Sequence, residues 1–288
     1  MKIGRYSVNR QMPRIVLEKR FLKFFDERIR NKWDWRINGE VGIGITNLCN
    51  LKCFSCVSLC DTPLGSNTFR KEKYFLKAET LDLFLQRIEG YCQKKWLTYT
   101  GGEATTMKIS DLEKLASIGR KYNRNVALVT NAFRLDKLNP FVFDYIRIDS
   151  HGELNEKDIQ RGVAHLKRVG YKKFSVMETL IHEDYNEAIK ERFVTCGLSC
   201  NLWMSLSLWG ETVYPCCCLA QMDGFYNVNK IRDALNEAGW TVKNPDLKET
   251  VENWKETIPA EVVKMCALSC WRGREEYLVH PVSYTREE

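Results

Sequence analysis

Apolar residues alternate with polar ones, or run unbroken over a few positions, in six stretches of this chain: 41–46, 96–100, 126–130, 145–149, 173–180 and 202–208. Each stretch reads as a β-strand. Between them the spacing becomes helical, with Leu81, Phe84, Leu85 and Ile88 on one helix face and Ile159, Val163 and Leu166 on another. Ser110 and Glu113 have the spacing of a capping box ahead of a further helix, and Gly170 stops the last of the three. Strands alternating with helices predict a mostly parallel sheet of the α/β class, and six strands suit a partial barrel. In such folds ligands lie at the carboxyl ends of the strands. Chemistry is therefore sought in the residues just past each strand.

Composition narrows the class. A chain of 288 residues suits one large domain, or a barrel with a smaller appendage. No stretch approaches the roughly 20 apolar residues of a membrane span, and MKIGRYSVNR at the start lacks a signal-peptide core. Twelve cysteines in such a chain point to reduced thiols, metal binding and a cytoplasmic location rather than to disulfides. Residues 1–40 hold eleven Lys and Arg against five Asp and Glu, which accounts for six of the net +7. Ile15, Leu17, Phe21, Leu22, Phe25 and Ile29 form an amphipathic stripe there, followed by Trp33 and Trp35. Basic residues interleaved with aromatics suit nucleic acid or an acidic peptide; a solvated face has the same look. The expected division is a basic amphipathic segment at 1–38, a core at 39–195, and a cysteine-rich region with the last barrel strand at 196–288.

Cys49, Cys53 and Cys56, in the run CNLKCFSC, have the spacing CxxxCxxC just past the first strand. So tight a loop can turn three thiolates toward one point. Zinc is one occupant of such a loop. A four-iron cube is the other, and three protein sulfurs would leave one iron open for chemistry. The second strand ends in Thr100, Gly101, Gly102 and Glu103, where glycines let the backbone approach a ligand closely. This cysteine loop, followed by GGE after the next strand, resembles the radical S-adenosylmethionine (SAM) superfamily. Three positions depart from the family pattern: Ser55 in place of an aromatic residue, Ala104 in place of proline and Ala132 in place of glycine.

The resemblance implies a partial (βα)6 TIM-like barrel carrying a 4Fe-4S cluster on Cys49, Cys53 and Cys56. The open iron would chelate the amino and carboxylate groups of SAM. Reductive cleavage would then give a 5'-deoxyadenosyl radical that abstracts a substrate hydrogen atom, with flavodoxin or ferredoxin as electron donor. Glu103, or the backbone around Gly101 and Gly102, is assigned to the SAM amino group, and Thr130 and Asn131 to its adenosyl or ribose part. On the fourth strand Ile146 and Ile148 share one face, against the helices, while Arg147 and Asp149 share the other, toward the lumen. That pair suits a polar cofactor or substrate, or equally a structural ion pair. His151, at the same strand end, is a candidate SAM or substrate contact or a loop residue. Glu178 and Asn186 match the family's polar contacts only weakly, and His165 and His182 read as ordinary surface residues.

Cys196, Cys200, Cys216, Cys217, Cys218, Cys266 and Cys270 cluster in the last third of the chain. The run from Cys200 to Cys216, turning at Trp209 and Gly210, reads as a hairpin with thiols at its base. This resembles the SPASM and twitch extensions of radical SAM enzymes, which bind auxiliary 4Fe-4S clusters. Two fully ligated cubes need eight cysteines, so seven indicate one. The expected ligands are Cys200, Cys216, Cys266 and Cys270, with Cys196 or Cys217 as substitutes; a structural zinc is the alternative. Cys60 and Cys92 have no evident partners, and Cys92 reads as core. An auxiliary cluster suits oxidation or crosslinking of a peptide or small polar substrate. Modification of a nucleic acid or nucleotide, and a non-catalytic zinc-binding protein, are the competing readings.

Overall fold

The computed structural model describes residues 40–51, 74–90, 96–178, 206–216, 220 and 229–266. The basic segment, Cys53, Cys56, Cys60, Cys92, Cys196, Cys200, Cys217, Cys218, Cys270, His182 and Asn186 lie outside these residues.

Five strands come in barrel order: β1 (Glu40–Thr46), β2 (Trp96–Gly101), β3 (Asn125–Thr130), β4 (Tyr145–Ser150) and β5 (Phe174–Glu178). Helix α1 (Ala78–Arg87) follows β1, α2 (Ile109–Lys121) follows β2 and α3 (Glu156–Arg168) follows β4. A hairpin of β6 (Ser207–Trp209) and β7 (Thr212–Tyr214) comes next. Four helices complete the described chain: α4 (Asn229–Glu237), α5 (Leu247–Glu252), α6 (Trp254–Thr257) and α7 (Ala260–Cys266). The sheet order is β5-β4-β3-β2-β1-β6-β7. Every neighbouring pair is parallel except β6 with β7. The α/β class and the mostly parallel sheet are as expected.

One face of the sheet carries Ile43, Ile45, Leu97, Tyr99, Val126, Leu128, Ile146 and Ile148, all buried in one core with Leu81, Phe84, Leu112 and Leu115 of the helices. The Tyr99 hydroxyl crosses this layer and donates to the Leu115 carbonyl at 2.7 Å. The alternate positions form the other face. Trp209, Gly44 and Thr100 are register neighbours there, as are Val129, Arg147 and Ser175.

The stretch 202–208 was expected as the last strand of the barrel, and its described end enters β6 (Ser207–Trp209), which pairs in parallel with β1. The reason lies in the β1 sequence EVGIGIT. A Cβ on Gly42 would lie 2.6 Å from Ser207 Oγ, and one on Gly44 would lie 2.3 Å from the Trp209 ring, so the two glycines leave a groove that these side chains fill. The hairpin turns at Gly210 and Glu211, one residue later than expected, since Trp209 still pairs with Thr212; Gly210 takes φ 63°. No capping box forms at Ser110, because α2 starts at Ile109 with Lys108 as its cap. Glu113 instead accepts the Asn139 N–H at 2.8 Å. The stop at Gly170, with φ 78°, holds: Tyr171 N–H reaches back to the Leu166 carbonyl at 2.9 Å.

Candidate functional site

The strand ends of β1, β2 and β3 meet around the start of the cysteine loop. Gly102 N–H donates to the Thr46 carbonyl and Glu103 N–H to the Leu48 carbonyl, both at 2.7 Å. Only glycine allows this approach, since a Cβ on Gly102 would lie 1.9 Å from the Leu48 carbonyl oxygen and Gly101 adopts φ 124°. Thr46 Oγ1 donates to the Tyr74 carbonyl at 2.6 Å, and Tyr74 N–H donates to Asn47 Oδ1 at 2.8 Å. The chain leaving the sheet at residues 47–51 and returning at Tyr74 is thus fastened at both ends to one strand terminus. The Tyr74 hydroxyl also donates to the Gly44 carbonyl and accepts from Gly210 N–H, and its burial pushes its pKa well above the usual tyrosine value.

Glu103 is 1% exposed. Its Oε1 accepts from Thr105 N–H at 3.0 Å, Thr105 Oγ1 at 2.6 Å and Thr130 Oγ1 at 2.7 Å. Oε2 accepts from Asn131 N–H at 2.6 Å. Burial pushes this carboxyl above its ordinary pKa, and the donors from Thr105, Thr130 and Asn131 oppose that shift. The Glu103 side chain is turned into the protein as a brace between β2 and β3, while the backbone beside it, the other half of the expectation for Gly101, Gly102 and Glu103, stays at the strand end. The Thr130 hydroxyl is engaged on both sides, accepting from Ala132 N–H at 3.0 Å as well.

Asn131 links this brace to the cysteine loop. Its Nδ2 lies 2.8 Å from Asn50 Oδ1 and 3.6 Å from Cys49 Sγ, and its Oδ1 accepts Phe133 N–H at 3.1 Å. Leu51 N–H points at the same sulfur from 3.4 Å. Ala132 follows at φ 71°, a left-handed conformation that favours glycine, taken here by an alanine. Asn155, missed in the sequence because it reads as a mere helix start, is buried and joins two strand ends. Its Nδ2 donates to the carbonyls of Asn131 and Asp149, both at 2.9 Å, while its Oδ1 accepts His151 N–H at 2.8 Å.

On β4, Arg147 and Asp149 form a two-pronged ion pair, Nε to Oδ1 at 2.9 Å and Nη2 to Oδ2 at 3.2 Å. The pair exists as an ion pair, and both readings of it, structural pair or neighbour of a polar ligand, stay open. The half-buried His151 has its pKa lowered by burial, opposed by the Asp149 charge. The exposed Glu178 ends β5, and His165 Nε2 lies 3.2 Å from the Leu138 carbonyl. A cleft of about 580 Å³ is lined by Ile109, Phe133, Arg134, Asp136, Lys137 and Arg161; none of the expected site residues lines it.

Cys216 is buried at the foot of β7, and Cys266 is the last residue of α7. Helix α4 packs against both β7 and α7, so the hairpin and the Cys266 helix share one neighbour. Among the described residues no three His, Cys, Asp or Glu side chains are grouped to hold a metal. The fit of a cluster rests instead on Cys49, whose sulfur faces the N–H donors of Leu51 and Asn131, with Asn50 Oδ1 farther off at 3.9 Å; N–H donors of this kind suit a metal-bound sulfur.

No family model matches the chain, and no curated protein matches it. Among solved structures it is similar to anSMEcpe with bound AdoMet, at 20% identity and TM-score 0.38, over 48% of this chain and 43% of that one. It is similar to BtrN in complex with AdoMet and 2-DOIA at 12% identity and TM-score 0.49, over 77% and 91% of the two chains. Streptococcus suis SuiB bound to precursor peptide SuiA gives 12% identity and TM-score 0.39, over 94% and 80%. Likeness at this level transfers neither a residue's role nor a substrate.

Proposed function

We propose that this chain is a radical SAM enzyme whose Cys49, Cys53 and Cys56 hold a 4Fe-4S cluster. When bound, that cluster supplies one electron to the sulfonium of SAM, giving methionine and a 5'-deoxyadenosyl radical that takes a substrate hydrogen atom. One observation carries the reading. The start of the cysteine loop at residues 47–51, the Gly101–Gly102–Glu103 turn and the Thr130–Asn131 strand end form a single hydrogen-bonded unit, with donors aimed at the Cys49 sulfur.

In this reading the Glu103 carboxylate keeps the ends of β2 and β3 in register. The backbone of Gly101 and Gly102 borders the SAM amino group, and Asp149 and His151 border the far side of the cofactor site. Cys200, Cys216, Cys266 and Cys270 would hold an auxiliary 4Fe-4S cluster, which would supply a one-electron acceptor and suit oxidation or crosslinking of a peptide or small polar molecule.

Anaerobic reconstitution tests this. The protein should take up about eight irons for two cubes and release 5'-deoxyadenosine when reduced with SAM. Cys49→Ala should lose about half the iron and all SAM cleavage. Colourless, zinc-loaded protein, or cleavage that survives in Cys49→Ala, defeats the reading.

A further inference from the structure

We infer that Asn131 is a positioning residue for that cluster: its side-chain amide donates to the Cys49 sulfur and raises the reduction potential of the metal centre held there. The inference rests on the function proposed above.

The orientation of the amide follows from its partners. Oδ1 accepts Phe133 N–H, so the opposite atom, Nδ2, must be the one facing Asn50 Oδ1 and Cys49 Sγ. The backbone is fixed on both sides, with its N–H held by Glu103 Oε2 and its carbonyl by Asn155 Nδ2. Ala132 at φ 71° then turns the chain away. All four polar groups of this one residue are engaged, and its side chain has no second direction open to it. Asn131 itself is 5% exposed, and its contact with the half-buried Cys49 is part-buried, so water screens it less than it would a surface pair. A reduced cluster carries more negative charge on its sulfurs than an oxidised one. An N–H donor therefore stabilises the reduced form more, which moves the potential upward. Leu51 N–H acts in the same direction from the backbone, whereas the Asn131 donor is one that substitution can remove.

The test is an EPR-monitored redox titration of the full chain, reconstituted anaerobically, following the reduced signal that changes when SAM is added. Asn131→Asp keeps the acceptor for Phe133 N–H and removes the donor; Asn131→Leu removes both without adding charge. Both variants should keep the reduced cluster signal, identified in the unsubstituted protein by its response to SAM, with midpoints more negative than that of the unsubstituted protein and the Asp variant shifted further. An unchanged midpoint in Asn131→Leu overturns the inference. So does loss of the signal from both variants while they stay folded by circular dichroism, because Asn131 would then be holding the loop rather than tuning the cluster. Should neither variant fold, pulsed EPR on unsubstituted protein labelled with side-chain 15N-asparagine decides: a nitrogen coupling supports the contact, and its absence overturns it. Unsubstituted protein with no SAM-responsive signal defeats the functional reading itself, and this inference with it.

Discussion

The end of β3 and the β6–β7 hairpin both meet the β1–β2 part of the sheet, by opposite means. At the first, Glu103 collects donors from Thr105, Thr130 and Asn131 at 2.6 to 3.0 Å. At the second, Ser207 and Trp209 occupy space left by the missing side chains of Gly42 and Gly44. One junction is made of directed bonds and the other of shape. A buried hydrogen-bond network suffers from deletion, because each donor left alone costs about 1–3 kcal/mol. A groove over glycine suffers from addition.

The largest effect should therefore come from Glu103→Ala. It leaves Thr105, Thr130 and Asn131 without their acceptor in a site closed to water, and should cost about 3 kcal/mol or more in a urea titration. Glu103→Gln keeps the shape but aims an NH2 group at one of the donors, and should cost about half as much. If Glu103→Ala unfolds at the same urea concentration as the unsubstituted chain, the junction is not made by these bonds.

The shape-made junction breaks the other way. Gly44→Ala places a methyl group where the Trp209 ring now lies, for about 1–3 kcal/mol. Trp209→Ala alone leaves a void, yet it should relieve most of the Gly44→Ala cost when the two are combined. A double-mutant cycle reads this as coupling. Strictly additive costs would mean that Trp209 is not seated over Gly44.

What could be read ahead of the structure follows the same divide. Strands β1 to β5 were legible because Ile43 and Ile45, Leu97 and Tyr99, and Ile146 and Ile148 alternate with polar neighbours and are fully buried. A close approach at Gly101 and Gly102 was legible from the glycines, though as an approach to a ligand; that Thr46 and Leu48 are what they meet was not. The inward turn of Glu103 was not, since its partners Thr130 and Asn131 lie 27 and 28 residues on and no local pattern pairs them. Asn155 was hidden for the same reason. The place of β6 beside β1 was written in Gly42 and Gly44, but a glycine pair in a strand signals a close approach without naming what approaches. At Ala132 the sequence departs from glycine while the backbone keeps the left-handed turn, a strain a β-carbon tolerates at about 1–3 kcal/mol.

An ion pair away from both junctions supplies the smallest effect and the baseline for the others. Lys121 Nζ of α2 lies 2.9 Å from Asp82 Oδ1 of α1, and the Tyr122 hydroxyl donates to the same carboxylate at 3.1 Å. The Lys121 hydrogen bond, with Tyr122 adding to it, lowers the Asp82 pKa. An acid with a depressed folded pKa stabilises the fold above its unfolded pKa and loses that contribution as pH falls through the folded value. Both side chains are well exposed, so solvent and salt screen the pair. Asp82→Asn should therefore leave the melting temperature nearly unchanged in 1 M salt, roughly the regime of a 3 Å Debye length, and flatten only the acid side of the stability curve at low salt. A loss comparable to that of Glu103→Ala would mean that α1 and α2 are joined by charge rather than by the buried face of Leu81, Phe84, Leu112 and Leu115.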